Sequence, residues 1–378
     1  MIAQTPIPVR LEAGKAPTKQ TARDIVGAFL TKEWTSVDPQ TLIVSYHDSF
    51  TNAHCVVERP HPSSRAPAEP LKVFIKFHRP GFGALEAFRH LLPTKLEEAR
   101  VCDMYSQNGS GAKVHGFFQA QDGTLGRVDE FLEARNMEPE DIEEPVIRTD
   151  VARALATFHV MQAPLEKRPV EAYFKAVIRG LDTYHQMDKL KRLGHQSGIS
   201  IDSLVDYPFG VKLRKVADKL EAMKAKTGWC IHDVQFMNTM VKHDIRHGES
   251  RVALIDFEVV FWNYRAFDIG GHFMQKMFKW FDAESKIARC NRYTDAEKRH
   301  FCDAYARRWN ALTGDADSGD QVFVEAEYGY LLAIAFDVHN MLSFMCEENG
   351  TDPLDLLGLN KLFAEFVEQY ERLGLETS

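Results

Sequence analysis

The spacing of hydrophobic and polar positions changes along the chain and predicts two regions behind a loose polar leader at 1–20. Over 21–32, Ile25, Ala28 and Phe29 fall on one helical face, with Trp34 just beyond. Residues 42–46 and 53–57 predict two short strands around a polar loop. Pro60, Pro62, Pro67 and Pro70 mark 59–70 as a loop. In KVFIKFH at 72–78, Val73, Ile75 and Phe77 alternate with Phe74, Lys76 and His78, which is a strand pattern. Thr94 and Glu97 have capping-box spacing and open a predicted helix to about 107, ended by Gly109 and Gly111. GRVDEFL at 126–132 predicts a last strand of this region. The acidic stretch 133–145 then predicts a hinge and connector.

Beyond the connector the period becomes helical. Residues 151–161 and 211–226 are candidate helices. Leu359, Leu362, Phe363, Phe366, Val367, Tyr370 and Leu373 keep helical spacing toward the C-terminus. The exception is VALIDFEV at 252–259, a β-branched strand pattern that carries Asp256. The plan is an N-lobe over 21–132 and a larger helical C-lobe over 133–378. A chain of 378 residues suits two domains.

Composition narrows the function classes. Hydrophobic residues at 44% and charged residues at 26% are those of a folded globular chain. A net charge of −8, from 46 basic and 54 acidic residues, gives no general attraction to nucleic acid or anionic membrane. Metals and cations remain candidate ligands. No apolar run approaches the ~18 residues that span a bilayer, and the first residues lack the apolar core of a signal peptide. Cys55, Cys102, Cys230, Cys290, Cys302 and Cys346 contain no C-x-x-C, so reduced, mostly buried thiols in a cytoplasmic protein are expected.

The residues that could carry chemistry concentrate in WCIHDVQFMN at 229–238 and ALIDFE at 253–258. Asp233 and Asn238 are five apart, and Asp256 follows Asn238 by 18. A carboxylate, an amide at D-x-x-x-x-N spacing and a second carboxylate before a Phe match the arrangement that kinases use for phosphoryl transfer. Mg²⁺ needs hard oxygen ligands, which Asn238 and Asp256 can supply. An attacking hydroxyl needs a carboxylate to orient it and take its proton, which Asp233 can do. Upstream, Lys76 on its strand and Glu98 on the following helix are the pair type that holds nucleotide phosphates. Competing templates are absent: there is no G-x-x-x-x-G-K-[ST], no G-x-S-x-G and no H-E-x-x-H.

With these pieces in place the sequence resembles the choline/ethanolamine kinase family, a relative of aminoglycoside phosphotransferases and protein kinases. The matching segments are FTN at 50–52, VFIKF at 73–77, the helix with Glu98, GAKVHGFF at 111–118 and GRVDEFLEAR at 126–135. They continue with ALATFH at 154–159, WCIHDVQFMN and LIDFEVVFWNYRAFDIGGHF at 254–273, the most specific block. The resemblance implies an α+β, two-lobed protein-kinase-like fold with a small β-rich N-lobe, a larger mostly helical C-lobe and an active site in the cleft. It implies ATP and Mg²⁺ as cofactors, a small amino alcohol (choline or ethanolamine) as acceptor, a place in phospholipid biosynthesis and, as in many relatives, a possible homodimer.

Carried over by position, the resemblance implies Asp233 as base, Asn238 and Asp256 as Mg²⁺ ligands, and Lys76 and Glu98 at the phosphates. Glu130, Phe131 and Leu132 fall at the adenine hinge. Gln235, Glu258, Trp262, Gln275, Trp280 and Phe336 are the candidate acceptor residues. Asp268 implies a structural role, with Asn263, Tyr264 and Arg265 bracing the same loop. The sequence also departs from the family. Ile231 and His232 replace a His-Asn pair, and His232 reads either as a satisfied core histidine or as an acceptor contact. Asp48 and Ser49 replace paired glycines. Gly271 replaces an Asn, Gln275 an acid and Lys276 an aromatic. Ala333 and Phe336 stand near a tryptophan pair whose cation–π attraction holds quaternary ammonium. Two rivals follow: a kinase for another small hydroxylated acceptor, and a non-catalytic nucleotide-binding pseudokinase.

Overall fold

The computed structural model describes residues 2–12, 14–48, 52–61, 67–79, 81, 83–184, 188–245, 248–280, 282–347 and 352–376. Two compact units divide the chain. The first is Met1–Gly81, Pro93–Ala134 and Lys242–Asp244; the second is Phe82–Leu92, Arg135–Val241 and Ile245–Ser378.

The first unit is built on a six-stranded sheet. Its strands are β1 (Gln4–Pro6), β2 (Ile43–Asp48), β3 (Asn52–Glu58), β4 (Lys72–His78), β5 (Val114–Gln119) and β6 (Leu125–Glu130), in the order β1-β5-β6-β4-β3-β2. All pairings are antiparallel except β1 with β5. Helix α1 (Lys19–Gly27) is capped by the Thr18 side chain and buries Ala22, Ile25 and Val26. These join Trp34, Cys55, Val57, Val73, Ile75 and Val128 in one core. Helix α2 (Lys95–Gln107) begins with the predicted capping box between Thr94 and Glu97. The first residues are not a loose leader. Gln4 to Pro6 pair with Phe117 to Gln119, and Ile7 and Val9 are buried. The partner strand lies more than 100 residues away, so no spacing within 1–20 could announce it.

The second unit is mostly helical. After β7 (Ala134–Asn136) come α3 (Pro145–His159), α4 (Glu171–Tyr184), α5 (Asp188–Ser197), α6 (Asp202–Val205) and α7 (Phe209–Ala222). Four short strands follow: β8 (Thr227–Cys230), β9 (Thr239–Lys242), β10 (Val252–Leu254) and β11 (Phe261–Tyr264). They pair as β10-β9-β7 and β11-β8. Helices α8 (Ala266–Gln275), α9 (Asp295–Thr313), α10 (Gly319–Glu347) and α11 (Pro353–Arg372) complete the chain. The expected strand over 252–259 ends at Leu254, so Asp256 stands in the turn after it. The 82–92 segment, expected in the N-lobe, belongs here: the buried Phe88 ring meets Tyr173, Phe261, Phe336 and His339.

Helices α8 and α10 pack backbone close to backbone. A Cβ on Gly270 would lie 2.1 Å from the Tyr330 backbone nitrogen, and one on Gly329 would lie 1.8 Å from the Ala266 carbonyl oxygen. Only glycine allows that approach. Although no membrane-length apolar run was expected, α10 meets that length and composition from Gly319 to Cys346. Of its most apolar window, 72% is buried inside the unit, so the helix spends that surface on the core.

Candidate active site

Strand β4 and helix α2 place Lys76 and Glu98 together in the first unit. Lys76 Nζ lies 3.1 Å from Glu98 Oε1, and both side chains are buried. The sequence reading missed the rest of the cluster. Arg127, opposite Lys76 in the β4–β6 register, reaches the same Glu98 oxygen at 3.2 Å. Its Nε donates to Asp129 at 2.8 Å and 2.9 Å. His78 and Lys95 sit 3.9 Å and 3.7 Å from Glu98 Oε2. Burial pushes the Glu98 carboxyl up, but the charges of Lys76, Arg127 and Lys95 outweigh it and hold the group well below its ordinary value. Burial, aided by the nearby cations, lowers His78 to about 3, so its ring is neutral. At the end of β6, Glu130 is exposed, and Phe131 and Leu132 are half-buried. Glu130 closes on Lys113 through backbone and side chain, and Lys72 Nζ lies 4.3 Å from the centre of the Phe131 ring.

In the second unit the loop after β8 carries Asp233 and Asn238. Asp268, at the start of α8, holds that loop. Its carboxylate accepts the Ile231 and His232 amides at 2.6 Å and 3.0 Å, and His159 Nε2 donates to it at 3.0 Å. His159 Nδ1 in turn meets the Tyr305 hydroxyl at 2.7 Å. Burial would raise the Asp268 carboxyl, but these donors hold it below its ordinary value. His232 is a core residue. It is 3% exposed, its Nδ1 faces the Cys230 and Val259 carbonyls, and Asn263 Nδ2 lies 3.0 Å from its Nε2. Its ring stacks on Phe261, and burial lowers its pKa to about 4. Arg265 is buried against Glu325 and Asp317 and ties the start of α8 to α10 and the segment before it.

Asn238 Nδ2 donates to the Asp233 carbonyl at 3.1 Å, and its own carbonyl accepts the Ile255 amide at 2.9 Å. That bond tethers the Asp233 loop to the turn holding Asp256. His232 and Asp256 both have positive φ, 62° and 64°. Such backbone is costly for residues other than glycine and clusters at functional sites. Burial raises Asp233 to about 7, Asp256 and Glu258 push the same way, and hydrogen bonds from Asn238 and Gln235 oppose them. Divalent-ion fit follows from the donor chemistry. The amide nitrogen of Asn238 is engaged with Asp233, which turns its oxygen the other way. That oxygen and the Asp256 carboxylate are hard donors amid surplus negative charge.

The sequence profile described as choline/ethanolamine kinase matches residues 44–354. The chain belongs to that family. Choline kinase alpha of Mus musculus is 27% identical over 213 residues, 55% of this chain and 45% of that protein. The probable ethanolamine kinase of Arabidopsis thaliana is 30% identical over 235 residues, 60% and 55% respectively. The chain spans about half the length of the curated relatives it matches. The crystal structure of choline kinase from Cryptosporidium parvum Iowa II aligns with a TM-score of 0.68 at 12% identity, covering 93% of this chain and 96% of that one. That likeness establishes the kinase-like α+β fold, with its β-sheet unit and larger helical unit.

Within this choline/ethanolamine kinase family member, the expected acceptor residues separate into groups. Gln235, Gln275 and Trp280 line one groove of about 260 Å³, together with Asn136, Met137 and Phe236. Trp280 stacks on Phe278 and donates its indole N–H to Gln275 Oε1 at 3.1 Å. Glu258 lies within electrostatic reach of Asp233. Trp262 does not join them. It projects from the opposite face of β11 to Phe261, edge-on to Trp229 and 4.1 Å from Lys167 Nζ. Phe336 is buried among Phe88, Phe267 and His232, so it is packing rather than cage wall. Gly271 is explained by space: a Cβ there would meet Val234 at 2.9 Å and Ala333 at 3.2 Å. The Asp48 side chain, Ser49, Phe50 and Thr51 lie outside the described residues. Sequence reasoning missed one acid. Asp337 on α10 accepts a hydrogen bond from Gln275 Nε2 at 2.9 Å.

Proposed function

We propose that this protein is a kinase that transfers the γ-phosphoryl group of ATP to the hydroxyl of a small amino alcohol, choline or ethanolamine. The observation that carries the reading is Asp233. It is half-buried, set in a loop pinned by Asp268, and its carboxyl is raised to about 7. A base near neutral pH is matched to taking a proton from a hydroxyl as the phosphoryl group arrives. Asn238 and Asp256 would hold Mg²⁺, which supplies charge neutralisation at the phosphates when bound. Lys76, 3.1 Å from Glu98 Oε1, would contact the nucleotide phosphates, and the backbone of Glu130 to Leu132 would meet adenine. Six free cysteines support the cytoplasmic reading.

The test is ADP release by the purified protein with Mg-ATP against choline, ethanolamine and no acceptor, with Asp233→Asn as control. Acceptor-dependent release that falls by about 10²–10⁴ in the variant is expected, the usual contribution of a positioned base. Full turnover in Asp233→Asn would overturn the base assignment. Nucleotide binding without turnover of either amine would favour another hydroxylated acceptor.

A further inference from the structure

Between Tyr330 and Val338, helix α10 is apolar apart from Asp337. A carboxylate in such a run is unfavourable unless something compensates it. Among the described residues its hydrogen-bond partner is Gln275, at 2.9 Å. The Gln275 amide has no freedom of orientation. Its oxygen receives the Trp280 indole N–H, so its NH₂ group must face Asp337. The relay Trp280–Gln275–Asp337 therefore aims one carboxylate from a helix that otherwise builds core. The parallel contact of α8 and α10, made close by Gly270 and Gly329, brings positions 275 and 337 into register. A Cβ on Gly271 would meet both Val234, next to Asp233, at 2.9 Å and Ala333, one turn before Asp337, at 3.2 Å, so α8 brings the two acid-bearing segments together. Burial first, and then the Asp233 charge, raises Asp337 to about 8. Two acids in one region favour a ligand that brings its own positive charge.

We propose that Asp337 supplies the carboxylate that binds the acceptor's ammonium group, with Gln275 and Trp280 as positioning residues. This rests on the amino-alcohol reading given above. An amino alcohol carries its hydroxyl and its ammonium two carbons apart. It therefore needs a base and a counter-ion on neighbouring segments, and the segments of Asp233 and Asp337 meet at Gly271 of α8. Gln275 engages one lone pair of Asp337 Oδ2, and a carboxylate has further acceptor capacity for a cation.

The experiment is steady-state ADP release by the full chain with Mg-ATP. The acceptors are choline, ethanolamine and the uncharged carbon isostere of choline. Wild type is compared with Asp337→Asn, Asp337→Ser and the double variant Asp337→Asn/Gln275→Glu. Loss of the charge should raise KM for the charged acceptors by about tenfold or more. The KM for ATP and for the neutral alcohol should stay within about twofold. The double variant should recover part of the lost affinity, which a merely structural role would not produce. Unchanged KM for the charged acceptors, or an equal rise for charged and neutral ones, would overturn the proposal while leaving the kinase reading intact. Wild-type protein that binds Mg-ATP but turns over no amine would overturn the amino-alcohol reading, and this inference with it. Asp337→Ser serves if the asparagine variant does not fold.

Discussion

Asp233 must ionise to act as a base, yet burial, Asp256 and Glu258 all resist its ionisation. The proposed base is active only when deprotonated, so kcat/KM should fall as pH drops below about 7, and bound Mg²⁺ would move that bend downward. A pH–rate profile checks both directions. Asp337 gives the matching stability prediction. An acid whose folded value is raised to about 8 contributes no penalty at pH 4, and loses stability as pH climbs from its unfolded value through 8. Asp337→Asn should therefore stabilise the metal-free protein at pH 8.5, by on the order of 1 kcal/mol after allowance for solvent screening, with no gain at pH 4. Thermal melts at the two pH values read this out. Glu98 is the opposite case. It neutralises Lys76 and Arg127 in a buried cluster, so Glu98→Gln should cost about 3 kcal/mol in urea unfolding. At this scale the sequence was partly legible. The spacing of Lys76 and Glu98 and of Asp233, Asn238 and Asp256 marked residues that the structure sets in two tight groups. Arg127 was hidden because its role depends on strand register, and Asp337 because 104 positions separate it from Asp233.

The α8–α10 contact is where element-level packing decides the geometry of single side chains. A methyl group on Gly270 would meet backbone 2.1 Å away, whereas one on Gly271 would meet the Val234 and Ala333 side chains at 2.9 Å and 3.2 Å. Backbone cannot step aside as a side chain can. Gly270→Ala should therefore destabilise by about 3 kcal/mol, and Gly271→Ala by about 1 kcal/mol, a ranking that denaturant melts would test. Elements with strong local signals were predicted well: α2 begins at its capping box, and β4 follows its alternation. Elements defined by distant partners were not. The β10 strand stops at Leu254 because the chain turns through Asp256 at positive φ, a turn the β-branched composition does not encode. The short turn Gly83–Phe88 is held by the aromatic surroundings of Phe88 rather than by any period of its own.

At the scale of the molecule, each unit has a buried charge cluster of its own, the first around Glu98 and the second around Asp268 and Arg265. The long apolar α10 shows why composition alone misleads. A window that would suit a bilayer is instead 72% buried as the central helix of a folded unit. The other end of the chain holds a different lesson. Strand β1 contributes only three residues, yet it occupies the outer position of the sheet beside β5, backed by the buried Ile7 and Val9. It covers a row of β5 backbone donors and acceptors that would otherwise be open. Deleting residues 1–9 should leave the candidate catalytic residues in place but uncover that row as a template for another chain. The shortened protein should elute as concentration-dependent oligomers in size-exclusion chromatography, while the full chain does not respond in this way to concentration. That outcome would make the N-terminal segment a guard against self-assembly, so that an affinity tag that pulled it away would cost colloidal behaviour before it cost the fold.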